Sequence, residues 1–252
     1  MTISPQTTIA PAETSESMSP LARAVAIFVR PAQAWGGLRE HAQWWIPLLL
    51  TVLVTCGGTA AMHQRAILPM MTEQWDQQVA DGNMSSEQAD KMEAFFSGPA
   101  GLGIVVGQQA IGVPLLTLFA ALLIWFGIGF VLGTKTSYRL ALEVASWSGL
   151  ISLPGYLLTM GIAWMRQTLK AVHVGFGMLL PDSETPSKLQ NALAVVLDGL
   201  GPLSLWYLVV AILGAAALSG APRKSVAWVL SGIYLAMILF SAAMAAMFSP
   251  AT

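Results

Sequence analysis

Five stretches of the chain carry no Asp, Glu, Lys or Arg: residues 41–64, 94–134, 144–165, 199–222 and 225–252, each at least 22 residues long. A helix needs roughly 20 consecutive apolar residues to cross a hydrocarbon core about 30 Å thick. The pattern therefore predicts an all-α integral membrane protein, a five-transmembrane-helix bundle. Its spans fall near residues 43–62, 111–133, 142–165, 201–219 and 224–247, within one membrane domain over 41–252.

Local signals refine these limits. Residues 1–20 are rich in Ser, Thr and Pro, with neither the basic nor the apolar region of a cleavable signal, and read as a disordered tail. Residues 21–40 set Arg23, Arg30 and Arg39 among apolar neighbours and read as an interfacial amphipathic segment. A cap packed on the transmembrane bundle is the competing reading of that segment. Trp44 and Trp45 open the first span at the depth indole rings favour. Residues 63–100 form a helical outer loop, in which Ser85 and Gln88 match a capping box. The run 94–134 is too long for one simple span. Gly101, Gly103, Gly107, Gly112 and Pro114 loosen its first half, so the span is placed at 111–133. Pro154-Gly155 predicts a kink in the third span. Residues 171–180 read as a surface-lying segment, 181–186 as a turn, and Lys188 to Leu197 as a resumed helix.

Charge then supplies sidedness. Arg23, Arg30 and Arg39, the short second-to-third connection with Lys135 and Arg139, and the fourth-to-fifth turn with Arg223 and Lys224 together hold seven of the twelve basic residues. With five spans all three segments share one side, so basic residues in short loops place the N-terminus in the cytoplasm and the C-terminus outside. Only 10% of the 252 residues are charged and the net charge is −1, which gives no support for a nucleic-acid partner.

Ionisable groups inside a bilayer are costly and often functional. Only Glu143 and Asp198 qualify, both near span ends. Arg139 and Glu143 stand four apart on one helical face and are expected to form a structural ion pair, in preference to a proton or substrate site. Pro114, Gly129, Gly133 and Pro154 are the candidate kink and packing positions. His63 and Arg65 could meet a lipid headgroup at the far end of span one, although snorkelling is the default. His41, His63, His173 and Cys56 are scattered, and no metal-ligand spacing, nucleophile–base arrangement or phosphate-cradling motif is present. No catalytic, cofactor or metal site is expected, and the function read here is non-enzymatic.

The phrases Ile27-Phe28-Val29-Arg30-Pro31-Ala32-Gln33-Ala34-Trp35 and Trp44-Trp45-Ile46-Pro47-Leu48-Leu49-Leu50 resemble the opening of the YIP1 family in its bacterial form. Met84 to Gln88, Gly133 to Ala141, Trp147 to Pro154, and Gly199 to Trp206 before an Arg-Lys turn are similar to later parts of it. The order and spacing of these pieces carry the resemblance, over roughly 21–247. It implies five spans and a cytoplasmic N-terminus. Eukaryotic relatives look like vesicle-traffic partners of Rab-type GTPases, through a longer cytosolic N-terminal region than this sequence carries. Some bacterial relatives accompany ABC exporters of the macrolide-exporter type and their periplasmic adaptors. The expectation is an accessory or scaffold protein of a bacterial inner membrane, partnered by lipid and by other membrane proteins such as an ABC permease and adaptor. A stand-alone transporter with a polar cavity around Pro114, Pro154 and Gln109 is the alternative, as is a membrane-shaping protein acting through residues 21–39.

Overall fold

A computed structural model describes residues 18–169, 172, 174–181 and 187–248. Most of the expected tail, the turn beyond residue 181, and His173 lie outside the described residues. The described residues form helices α1 (Pro20–Val29), α2 (Trp45–Ala80), α3 (Ser86–Ser97), α4 (Pro99–Val131), α5 (Tyr138–Gly149), α6 (Ser152–Arg166), α7 (Lys188–Gly199), α8 (Pro202–Ser219) and α9 (Arg223–Phe248). Among the described residues, five segments are long and apolar enough to cross a membrane: α2, α4, the α5–α6 pair, α8 and α9. Leu53, Leu116, Phe130, Leu158 and Phe240 are among many large apolar side chains left exposed on them, as lipid-facing helices require.

The helices differ in detail from the sequence pattern. α2 does not end at residue 62 but runs on to Ala80 through a π-helical turn, His63–Ile67. Pro69 follows that turn, and a proline ring strikes the carbonyl four residues before it, here Arg65; widening the turn moves that carbonyl aside. α4 likewise starts at Pro99 and continues unbroken through Pro114, so the loosened approach is part of one helix. The third span breaks at Leu150–Ile151, not at Pro154-Gly155. Pro154 is the third residue of α6, and Leu150 is the residue whose carbonyl its ring would strike. The capping box at Ser85 and Gln88 is present, and a second one, at Ser187 and Gln190, starts α7.

The sequence makes Gly133 a candidate kink or packing position, but a side chain there would meet nothing within 4 Å. Its φ of +66° instead turns the chain left-handed at the end of α4, where Thr134 N–H and Oγ1 both reach back to the Ile128 carbonyl. The close approach falls at Gly127, where an added Cβ would sit 2.8 Å from Ile233 and 3.0 Å from Val229 of α9. A Cβ at Gly129 would meet Trp125 of its own helix first, at 3.5 Å, an ordinary contact. The main core joins α1, α4, α5, α8 and α9, and α5 lies at its centre: every residue from Ala141 to Ser148 is buried. Beyond the bundle, α3 and the end of α2 share a small core of Leu68, Trp75 and Ala89.

Candidate functional site

Residues 34–43 form a non-helical strap between α1 and α2. Backbone without helix or sheet partners still has to satisfy its donors and acceptors when it is buried. Here charged side chains do so. Arg23 of α1 donates through Nη1 to the Ala34 carbonyl and through Nη2 to the Gly36 carbonyl at 2.9 Å. Arg139 of α5 donates to the carbonyls of Leu38, at 3.1 Å, and Arg39. Glu143, one turn further along α5, accepts from the Gln43 amide at 2.7 Å. Arg39 in turn donates to the Ala217 carbonyl at 3.2 Å, near the end of α8.

These groups form one electrostatic knot. Glu143 is fully buried and its Oε1 lies 3.7 Å from Arg139 Nη1. The Arg23 guanidinium stands 5.6 Å from the Trp147 ring centre, within reach of a cation–π attraction. Arg23 lies outside the spans; its burial lowers its proton affinity from the ordinary arginine value, and nearby Glu143 offsets part of that effect. A guanidinium keeps its charge across the physiological range regardless. Arg23 Nε and Gln43 Oε1 are buried without a hydrogen-bond partner among the described residues, which makes the knot a place for ordered water.

Trp35 fixes the strap sterically. It is almost completely buried, and a Cβ added at Gly214 of α8 would lie 2.5 Å from its ring. Only glycine allows the indole so close to a helix axis. Of the residues expected as lipid anchors, Arg23 and Trp35 therefore point inward, Trp44 is half-buried, and Arg30, Arg39 and Trp45 are exposed. α1 turns its guanidinium and Ile27 toward the bundle and exposes Leu21, Val25, Phe28 and Val29. The physical reason is that the backbone of the strap needs donors that an apolar face cannot supply.

His63 and Arg65, beyond the expected first span, behave similarly. His63 is buried in the π-helical turn with Nε2 2.8 Å from the Phe96 carbonyl, and the Arg65 guanidinium lies 3.8 Å from the Trp164 ring centre. Both serve contacts within the protein. Among the described residues, no three His, Cys, Asp or Glu side chains gather as a metal site.

A cavity of about 530 Å³ opens between α6, α8, α9 and the end of α7. Ser152, Tyr156, Ser204, Tyr207 and Tyr234 line it, beside Pro154; Pro114 and Gln109 do not take part. The i,i+4 spacing revealed the Arg139–Glu143 pair. No local signal marked Arg23 or Trp35 as interior, because their partners stand on the strap and on α8.

Comparison with known proteins adds one positive finding. The family model described as the Yip1 domain matches residues 25–245. That range takes in the strap, the cavity and all of the knot except Arg23. No curated protein and no solved structure matches the chain.

Proposed function

The chain belongs to the Yip1 family, and on that footing we propose that it is a non-enzymatic scaffold that associates through its helices with a larger membrane complex. The observation that carries this reading is the strap. Arg23, Arg139 and Glu143 are committed to holding backbone groups of residues 34–43. A proton or ion relay needs charged groups that can change partners, whereas these are fastened to peptide carbonyls and an amide. The result is a stiff platform with apolar helix faces available to lipid or to neighbouring helices.

The partner proposed is an ABC-type export complex, its permease and periplasmic adaptor, in a bacterial inner membrane; the family resemblance of the sequence supports this. The proposed orientation keeps the strap cytoplasmic. Contacts of Arg139 with the strap, and of Arg39 with the end of α8, bring three basic segments to one end of the bundle, which supports the charge argument. Affinity purification of the full chain in mild detergent tests the reading. Stoichiometric recovery of a membrane partner is expected, and recovery of the chain alone would overturn it.

The cavity beside Pro154 favours a second reading, in which the bundle binds a small molecule or lipid. A third, membrane attachment through α1, draws support from exposed Leu21, Val25, Phe28 and Val29.

A further inference from the structure

We propose that a second cavity, at the end of the bundle that carries the strap, binds the phosphate of an acidic phospholipid headgroup. It measures about 340 Å³ and lies between two turns, one following α4 and one joining α8 to α9. Leu132, Thr134, Lys135, Ser219, Pro222 and Ser225 line it. The backbone shapes both walls. Gly133 and Gly220 turn the chain left-handed, with φ of +66° and +75°. The Gly220 amide closes α8 on the Ala216 carbonyl, and the Ala221 amide bonds to Ser219 Oγ at 3.1 Å. The volume lies within the range of about 300–1,000 Å³ usual for ligand sites.

Charge selects the guest. No Asp or Glu occurs in residues 94–142 or 199–252, so the segments that build both walls carry positive charge only. Lys135 lines the cavity, and Arg223 and Lys224 fall between the lining residues Pro222 and Ser225. These three side chains form no ion pair among the described residues. Arg39 reaches the rim: its Nη2 donates to the Ala217 carbonyl and would stand 3.7 Å from a Cβ at Gly220. Of the acidic residues nearest along the chain, Glu143 is buried on the Gln43 amide and Glu40 is exposed on the strap; neither lines the cavity. A phosphate directs its oxygens several ways at once, so it can meet Lys135 from one turn and Arg39 or Lys224 from the other.

The surroundings point to a lipid as the source of that phosphate. Phe130 and Val131, just before the cavity on α4, are exposed, as is Trp228, one turn beyond Lys224 on α9. The two helices pack together here, through Gly127 against Val229 and Ile233. A headgroup in the cavity would lay its acyl chains along these apolar side chains, with the indole at the depth it favours.

The full chain is reconstituted in phosphatidylcholine nanodiscs containing phosphatidylglycerol, then released, and its retained lipids are counted by native mass spectrometry. The chain is assayed alone, so the outcome does not depend on any protein partner. Phosphatidylglycerol should be retained at least about ten-fold over phosphatidylcholine, the size of effect that a hydrogen bond to a charged group supplies. Lys135→Gln should cut that preference at least about five-fold, the effect of one basic residue at an anionic surface. Arg30→Gln, which removes an exposed arginine that does not line the cavity, should leave it unchanged. Ser225→Leu keeps every charge but fills the cavity, and should abolish the preference. Thermal scans of the variants separate loss of the site from loss of the fold, and the exposed Lys135 carries the test even where Ser225→Leu fails to fold. Equal losses from Lys135→Gln and Arg30→Gln would mean diffuse surface attraction and overturn the assignment, as would a preference that survives Ser225→Leu in the folded protein. Retention should persist in millimolar inorganic phosphate; displacement there would overturn the lipid as occupant in favour of free phosphate.

Discussion

Replacing Glu143 by leucine should loosen the strap far more than replacing it by glutamine. The carboxylate is fully buried, accepts from the Gln43 amide at 2.7 Å and stands 3.7 Å from the Arg139 guanidinium. Leucine leaves that amide without a partner and two arginines without their counter-charge. Removing one partner of a buried charged pair costs about 3–5 kcal/mol. At 1.4 kcal/mol per decade, local opening of the strap should rise by roughly 10² to 10⁴. Glutamine keeps an acceptor oxygen for Gln43 and loses only the charge, a cost of about 1–2 kcal/mol, or roughly ten-fold. The readout is the rate at which trypsin cuts after Arg39 in the detergent-solubilised protein. Its side chain is exposed while the surrounding backbone is held, so cleavage tracks the open population. Arg23→Met combined with Glu143→Leu should open the strap further still, because it also removes the donors to the Ala34 and Gly36 carbonyls. If the leucine and glutamine variants are cut equally fast, or both at the wild-type rate, the reasoning fails.

Gly214→Leu should destabilise the protein by about 1–3 kcal/mol by overpacking against Trp35, measured as a lowered thermal midpoint; Trp35→Ala in the same background should restore part of it. Ser85→Ala should cost α3 about 1 kcal/mol of local stability, seen as faster amide exchange at Gln88, whose N–H its hydroxyl now accepts. Pro114→Ala should leave stability unchanged or slightly raised in a thermal scan, since the helix already runs through that position. A reporter fused after Thr252 should register on the side opposite the cytoplasm, and a cytoplasmic signal would contradict the proposed sidedness.

The spans were legible because lipid imposes a rule on composition that no tertiary contact can override: twenty residues without charge cross the membrane or fold away from it. The capping box at Ser85 and the Arg139–Glu143 pair were legible because both are local, within a helical turn. Arg23 was not. An amphipathic pattern states that a helix has two faces but not which face meets protein, and here the polar face meets it. Trp35 and Gly214 form a fit between remote segments, which spacing along the chain does not encode. Gly133 and Gly127 show the same limit within one helix: both are glycines near its end, one turning the chain and the other admitting Val229 and Ile233. The kink expected at Pro154 fell four residues earlier, where its ring would meet a carbonyl. The cavity depends on hydroxyls from three helices and had only Pro154 to announce it.

The central claim is that buried charges fasten the strap to the bundle. The most direct measurement is residue-resolved hydrogen exchange at the Gln43 amide, whose acceptor is the Glu143 carboxylate. The account predicts exchange as slow as that of the buried α5 amides from Ala141 to Ser148, accelerated at least a hundred-fold by Glu143→Leu. Exchange at the rate of an unprotected loop in the wild-type protein would contradict it.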